Sequence, residues 1–109
     1  MISWQDFEKI DIRCGTIIEV NDFANARKPA YQLTIDFGIH GIKRSSAQIT
    51  HHYTKEALIN KQVVAVMNFP VKQIANFFSE CLVLGVYDEA DNVVLLQPDK
   101  TVSNGMKIG

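Results

Sequence analysis

Apolar and polar positions along this chain alternate in short runs, and helical spacing is confined to two brief stretches. Tyr31-Gln32-Leu33-Thr34-Ile35-Asp36-Phe37 alternates without a fault, which predicts a half-buried strand with Tyr31, Leu33, Ile35 and Phe37 on its core face. Residues 11–20 before it are rich in β-branched side chains and read as the first strand, with Gly15 marking a bend or a close backbone approach. After it the chain turns between Gly38 and Gly41 and returns over residues 42–49 as a third, more polar strand whose polar face meets solvent or ligand. Residues 63–67 and 81–87 are apolar runs without helical period, read as buried strands four and five, and residues 93–96 follow an acidic turn at 88–92 as a further strand.

The two helical stretches have their own signals. Ser3 followed by Trp4-Gln5-Asp6-Phe7 is a capped start with an early acid and two aromatics three apart, which need burial on the barrel or on a partner chain. Thr54-Lys55-Glu56-Ala57-Leu58-Ile59-Asn60 offers a cap, a helix-forming interior and an Asn able to take the left-handed conformation. Short strands throughout, with one helix between strands three and four, describe an all-β single domain over residues 1–109: a five-stranded OB-fold Greek-key barrel with a short N-terminal helix and a connecting helix. Residues 68–80, polar and aromatic between two apolar runs, read as a binding loop with fixed ends.

Composition narrows what such a loop binds. Eleven Lys plus Arg against twelve Asp plus Glu give no global field, so a nucleic-acid site has to be a local patch. No basic leader precedes an apolar run and no stretch is long enough to span a membrane, so the chain is expected in the cytoplasm without membrane insertion. Cys14 and Cys81 sit in strand-like apolar runs and read as buried free thiols. His40, His51 and His52 lack ligand spacing and read as surface residues, and no nucleophile motif, phosphate-cradling glycine loop or spaced acid pair occurs. The expectation is a binding module rather than an enzyme, with no metal and no cofactor.

An OB barrel holds nucleic acid across a sheet face bounded by loops, with cations for phosphate and aromatics and amides for bases. Lys43, Arg44, Ser46 and Gln48 on the third strand, with Lys72, Gln73 and Asn76 in the loop, supply donors, and Phe69, Phe77 and Phe78 supply stacking surface. The competing account makes the cations a solvated face and the phenylalanines core or dimer contacts.

Several motifs then match in order. Asp11-Ile12-Arg13 with Gly15, Ser46-Ala47-Gln48-Ile49 leading to Tyr53, and Asn68 with Pro70, Lys72 and Ser79-Glu80 resemble the tRNA-binding domain found in the C-terminal region of methionyl-tRNA synthetases. Residues 23–31, 45–50, 58–63 and 93–99 narrow the resemblance to free-standing proteins of the CsaA type, over essentially the whole chain. The resemblance implies an OB-fold homodimer that binds tRNA or other structured RNA and serves as an export-related chaperone for unfolded, pre-secretory polypeptides. It places RNA contacts on Arg13, Ser46, Asn68, Lys72, Ser79 and Glu80, to which the groove argument adds Lys43, Gln48, Gln73 and Asn76. Peptide is expected on Phe69, Ile74, Phe77 and Phe78. A polypeptide-binding chaperone with no physiological RNA ligand is the alternative, because this loop has Gln73 and Asn76 where a strongly RNA-binding version is more basic. The N-terminal helix and residues 102–108 are expected at the dimer contact, since both carry apolar residues that a small barrel cannot cover.

Overall fold

In a computed structural model that describes all 109 residues, the expected barrel is present. A one-turn helix α1 (Trp4–Glu8) leads into β1 (Ile12–Asp22), β2 (Tyr31–Asp36) and β3 (Ile42–Ala47); α2 (Lys55–Leu58) connects to β4 (Gln62–Val66). The chain then forms β5 (Lys72–Ile74), β6 (Phe77–Ser79), β7 (Leu82–Val83), β8 (Gly85–Tyr87) and β9 (Val93–Leu95). The barrel sheet has the order β3-β2-β1-β4-β7 with every pair antiparallel, while β5-β6 and β8-β9 are separate hairpins.

The long first strand organises this. Its N-terminal half pairs with β4 and its C-terminal half with β2. The register slips between Ile17 and Glu19, leaving Ile18 as an unpaired bulge residue that lets one strand curl around two neighbours. Gly15 marks the close approach: a Cβ there would stand 2.6 Å from the Phe37 ring and 2.8 Å from Ile35. Ile17, Leu33, Ile35, Phe37, Leu58, Val63 and Ala65 fill the interior at zero exposure. The alternation of β2 therefore survives intact, with Tyr31 as its fourth buried member.

Caps and turns follow the sequence signals. Ser3 and Asp6 form a reciprocal capping box, Thr54 Oγ1 accepts from the Ala57 N–H at 3.2 Å, and Asn60 takes φ +68°. The tail turns at Asn104-Gly105 and lies along the open edge of β1, where the Cys14 N–H donates to Met106 O and the Ile108 N–H to Ile12 O.

One expectation needs correction. Residues 81–87 are not one buried strand: the run breaks at Leu84 into β7 and β8, and Leu82, Val86 and Tyr87 are exposed. Only two residues of β7 reach β4, so the remainder leaves the barrel as half of a hairpin. Of the two places expected to cover the aromatic face of α1, the barrel does not: the helix buries no residue and Trp4 is 76% exposed.

Both cysteines are free and buried. Burial, aided by the Glu80 charge, pushes the Cys81 thiol up to about 12, against a hydrogen bond from Ser45 and the Lys43 charge. Only the thiolate attacks disulfides, so a thiol-specific aromatic disulfide at pH 8 should leave Cys81 unmodified in the native protein. It should titrate two thiols per chain in denaturant. Rapid native labelling of Cys81 would show that the barrel opens there.

Candidate nucleic-acid interface

The barrel closes through side chains rather than a strand ladder. The outer edge of β3 faces residues 79–81, and a single backbone bond, Glu80 N–H to Arg44 O at 2.8 Å, crosses the gap. The other links are side-chain groups: Arg44 N–H donates to Glu80 Oε1 (3.0 Å), Ser46 N–H to Ser79 Oγ (3.2 Å), and Ser45 Oγ to Cys81 O (2.9 Å). Ser45 is 1% exposed, so its hydroxyl satisfies a carbonyl in a water-poor position. Ser79 and Glu80, expected as RNA contacts, thus have a structural assignment in this seam. Ser46 contributes its N–H to the seam while its side chain remains at the surface of the groove below.

Residues 68–80 are a hairpin rather than an open loop. Lys72 pairs with Ser79, Gln73 with Phe78 and Ile74 with Phe77, and Ala75 turns the chain at φ +54°. Opposed residues share a face in an antiparallel pair. Lys72, Ile74, Phe77 and Ser79 therefore look towards the barrel, and Gln73 and Phe78 look away. Phe77 is 2% exposed and lies 5.3 Å from the Phe23 ring, with the Arg44 guanidinium 4.5 Å over it. Together with Ala30, and with Ile74 packed against it, it forms a small second core. This corrects the peptide assignment of Phe77 and Ile74: both are used to fasten the hairpin. Phe69 and Phe78, at 57% and 55% exposure, remain available.

Below the seam the edges of β3 and β7 diverge into a groove of about 450 Å³. Its walls are Ser46, Ala47, Gln48 and Ile49 on one side and Leu82, Val83, Tyr87, Asp91 and Val93 on the other, with Lys72 at one end. A second cavity, about 250 Å³, lies between Phe69, Pro70, Lys72 and residues 79–82. Lys72 lines both, and it makes no ion pair. Of the expected RNA residues, the structure brings together Ser46, Gln48, Lys72, Ser79 and Glu80. Lys43 is half-buried on the inner face of β3, close enough to act on the Cys81 thiol. Gln73 and Asn76 sit at the hairpin tip, where Gln73 Nε2 donates to Ala75 O.

Arg13 and Asn68 stand elsewhere. Arg13 donates to Asp11 Oδ1 and to Gly105 O, both at 2.9 Å. Asn68 accepts from the Asp11 N–H at 2.9 Å and donates to Lys9 O at 2.7 Å. The two tie the end of β4, the start of β1 and the tail into one corner, and neither lines the groove.

The wall supplied by β8 and β9 was missed by sequence reasoning. Its turn is held by Asp88, whose Oδ1 accepts from the Ala90 and Asn92 N–H groups and whose Oδ2 meets His52 Nε2 at 2.7 Å. The hydrogen bond with His52, with that from the Asn92 amide, holds the Asp88 carboxyl below its ordinary range. Tyr53 Oη accepts from the Leu95 N–H, and the Tyr31 hydroxyl donates to Tyr53 O. No group of three or more His, Cys, Asp or Glu stands together as a metal site.

A barrel of this strand order, with a groove beside β3 bounded by the hairpin that follows β4, is an OB-type binding module. The sequence model of the family described as "Putative tRNA binding domain" matches residues 12–107, and the chain belongs to that family. It is 37% identical over 107 residues to the methionine–tRNA ligase of Pyrococcus horikoshii, covering 98% of this chain and 14% of the ligase. The chain thus spans about one-seventh of the curated relatives it matches. Among solved structures it is similar to the CsaA chaperone of Picrophilus torridus, with 59% identity, TM-score 0.94 and all of both chains covered. The chaperone CsaA of Bacillus anthracis str. Ames gives 52% identity and TM-score 0.95 over 100% of this chain and 99% of that one.

Proposed function

We propose that this chain is a homodimeric, non-enzymatic chaperone of the CsaA type that holds structured RNA, such as tRNA, across the groove between β3 and the β8-β9 hairpin. The observation that carries this reading is Lys72, an unpaired cation at the junction of two cavities, facing the polar wall of Ser46 and Gln48. Lys72 meets phosphate, Ser46 and Gln48 meet ribose or base edges, and Tyr87, 73% exposed, offers a ring for stacking. The likeness to two CsaA chaperones supports an export-related role towards unfolded polypeptide in the cytoplasm. Support for the dimer comes from α1 and the tail, where Ile2, Trp4, Phe7, Ile10 and Ile108 line adjoining apolar hollows that the barrel leaves uncovered. No helix is long and apolar enough to cross a membrane.

Fluorescence titration with tRNA tests the RNA reading. Lys72→Ala should flatten the dependence of log affinity on log salt by about 0.9 for the phosphate contact removed, with the thermal midpoint unchanged. An unaltered slope would remove Lys72 from the interface. A second reading, polypeptide binding alone, is favoured by the apolar lining of the smaller cavity at Phe69, Pro70 and Leu82 and by Asp91 in the larger one. Under it tRNA does not bind at low salt, while suppression of client aggregation depends on Phe69 and Phe78.

A further inference from the structure

We infer that Asp91 reads the Watson–Crick edge of an unpaired guanine in the bound RNA, which makes the groove a guanine-selective nucleotide site; this rests on the RNA reading above. Two charged side chains line the groove, Lys72 and Asp91, and they make no ion pair with each other or with any other residue. A groove that keeps a cation and an anion apart fits a ligand that carries an anion and hydrogen-bond donors on separate groups. A nucleotide is such a ligand, with phosphate for Lys72 and a base for Asp91. A phosphate is repelled near a carboxylate, so RNA that enters this groove turns a base towards Asp91 and keeps its backbone away.

The turn at residues 88–92 presents this carboxylate on a fixed frame. The Asp88 N–H donates to Asn92 O at 2.8 Å and the Asp91 N–H to Asp88 O at 3.0 Å. Asp88 Oδ1 accepts from the N–H groups of Ala90 and Asn92, which flank Asp91, both at 2.9 Å. Asp91 itself stands at φ +62°, in the left-handed region where Asp and Asn are among the favoured non-glycine residues. The two aspartates of the turn are therefore used differently. The Asp88 carboxylate is occupied by the turn and by His52, whereas that of Asp91 is exposed at the groove and accepts no hydrogen bond from the chain.

Guanine is the base whose Watson–Crick edge offers a carboxylate two adjacent donor groups, N1–H and N2–H; adenine, cytosine and uracil offer one each. Charge-assisted pairing to both donors is strong and geometrically selective. The neighbouring side chains suit the same base. Tyr87, opposite Val93 in the β8-β9 hairpin, presents an exposed ring for stacking, and the Gln48 amide on the other wall carries a donor for guanine O6. The groove volume of about 450 Å³ falls within the range of small-molecule sites.

Titration of the full chain with RNA hairpins at about 50 mM salt tests the contact. The hairpins share one stem and a uridine loop that holds a single guanosine, inosine or adenosine. The guanosine hairpin should bind about tenfold more tightly than the adenosine hairpin, within the range for a bidentate base contact. Inosine, which lacks the N2 amine, should fall between them. Asp91→Asn keeps a residue suited to the left-handed turn. It should abolish the preference while binding the adenosine hairpin at least as tightly as the wild type does, because a repulsive charge has gone. A lowered thermal midpoint with all three hairpins weakened alike would make Asp91 a purely structural residue and overturn the contact. Equal wild-type affinities for the three hairpins, with tRNA still bound through Lys72, would overturn the guanine contact and leave the RNA reading in place. If the wild-type chain binds neither tRNA nor any hairpin, the RNA reading fails and the guanine contact with it.

Discussion

Phe77→Ala is expected to destabilise the chain by about 3–5 kcal/mol, the range for emptying a buried aromatic site. The ring sits against Phe23 and under the Arg44 guanidinium, and it is one of the two phenylalanines in the core that fastens the hairpin. Truncation removes the packing of both neighbours at once, and three-residue strands cannot hold a hairpin without such support. Phe78, one residue on and facing solvent, is the internal control: Phe78→Ala should stay within about 0.5 kcal/mol. Urea unfolding of both variants reads the difference as a shift in midpoint at constant slope. Equal midpoints would mean that the hairpin is not anchored by its buried face.

Gly15→Ala should also be severe, for the opposite reason. The new methyl would overlap the Phe37 ring and the Ile35 side chain, both at zero exposure. Overpacking of this kind costs about 1–3 kcal/mol and more where backbone must shift, and here Ile35 is held in the β1-β2 ladder opposite Ile17 while the Phe37 N–H is tied to Gly41 O. Combining Gly15→Ala with Phe37→Leu should recover part of the loss, because the smaller side chain vacates space near the new methyl. No recovery in thermal denaturation would locate the strain elsewhere.

The parts of the fold that were legible are those whose cause is local. The β2 alternation, the Ser3 and Thr54 caps, the left-handed Asn60 and the Asn104-Gly105 turn each depend on residues within a few positions, and each stands where the pattern put it. The breakdown at Leu84 was not legible: an apolar run such as residues 81–87 has the same composition whether it completes a barrel or leaves it. What decides is that β4 is only five residues long, with β1 on one edge and two residues of β7 on the other.

The site was legible in its outline and not in its division of labour. Ser46, Gln48 and Lys72 do converge on one groove. Ser79, Glu80 and Asn68 carry hydrogen bonds to partners 33, 36 and 57 residues away, so their seam and corner roles cannot be read from spacing along the chain. Phe77 looked equivalent to Phe78 because only the register of the hairpin and the distant Phe23 distinguish them. Tyr87, Asp91 and Val93 carry no motif of their own, and the available signal was the acidic turn at 88–92, which positions them.

Backbone amide chemical-shift mapping with tRNA tests the central claim most directly. The groove account predicts that the perturbed amides cluster on residues 46–49, 72–79, 82–87 and 91–93, and that the shifts fade as salt is raised. Perturbations confined to α1 and the tail, or none at low salt, would contradict it.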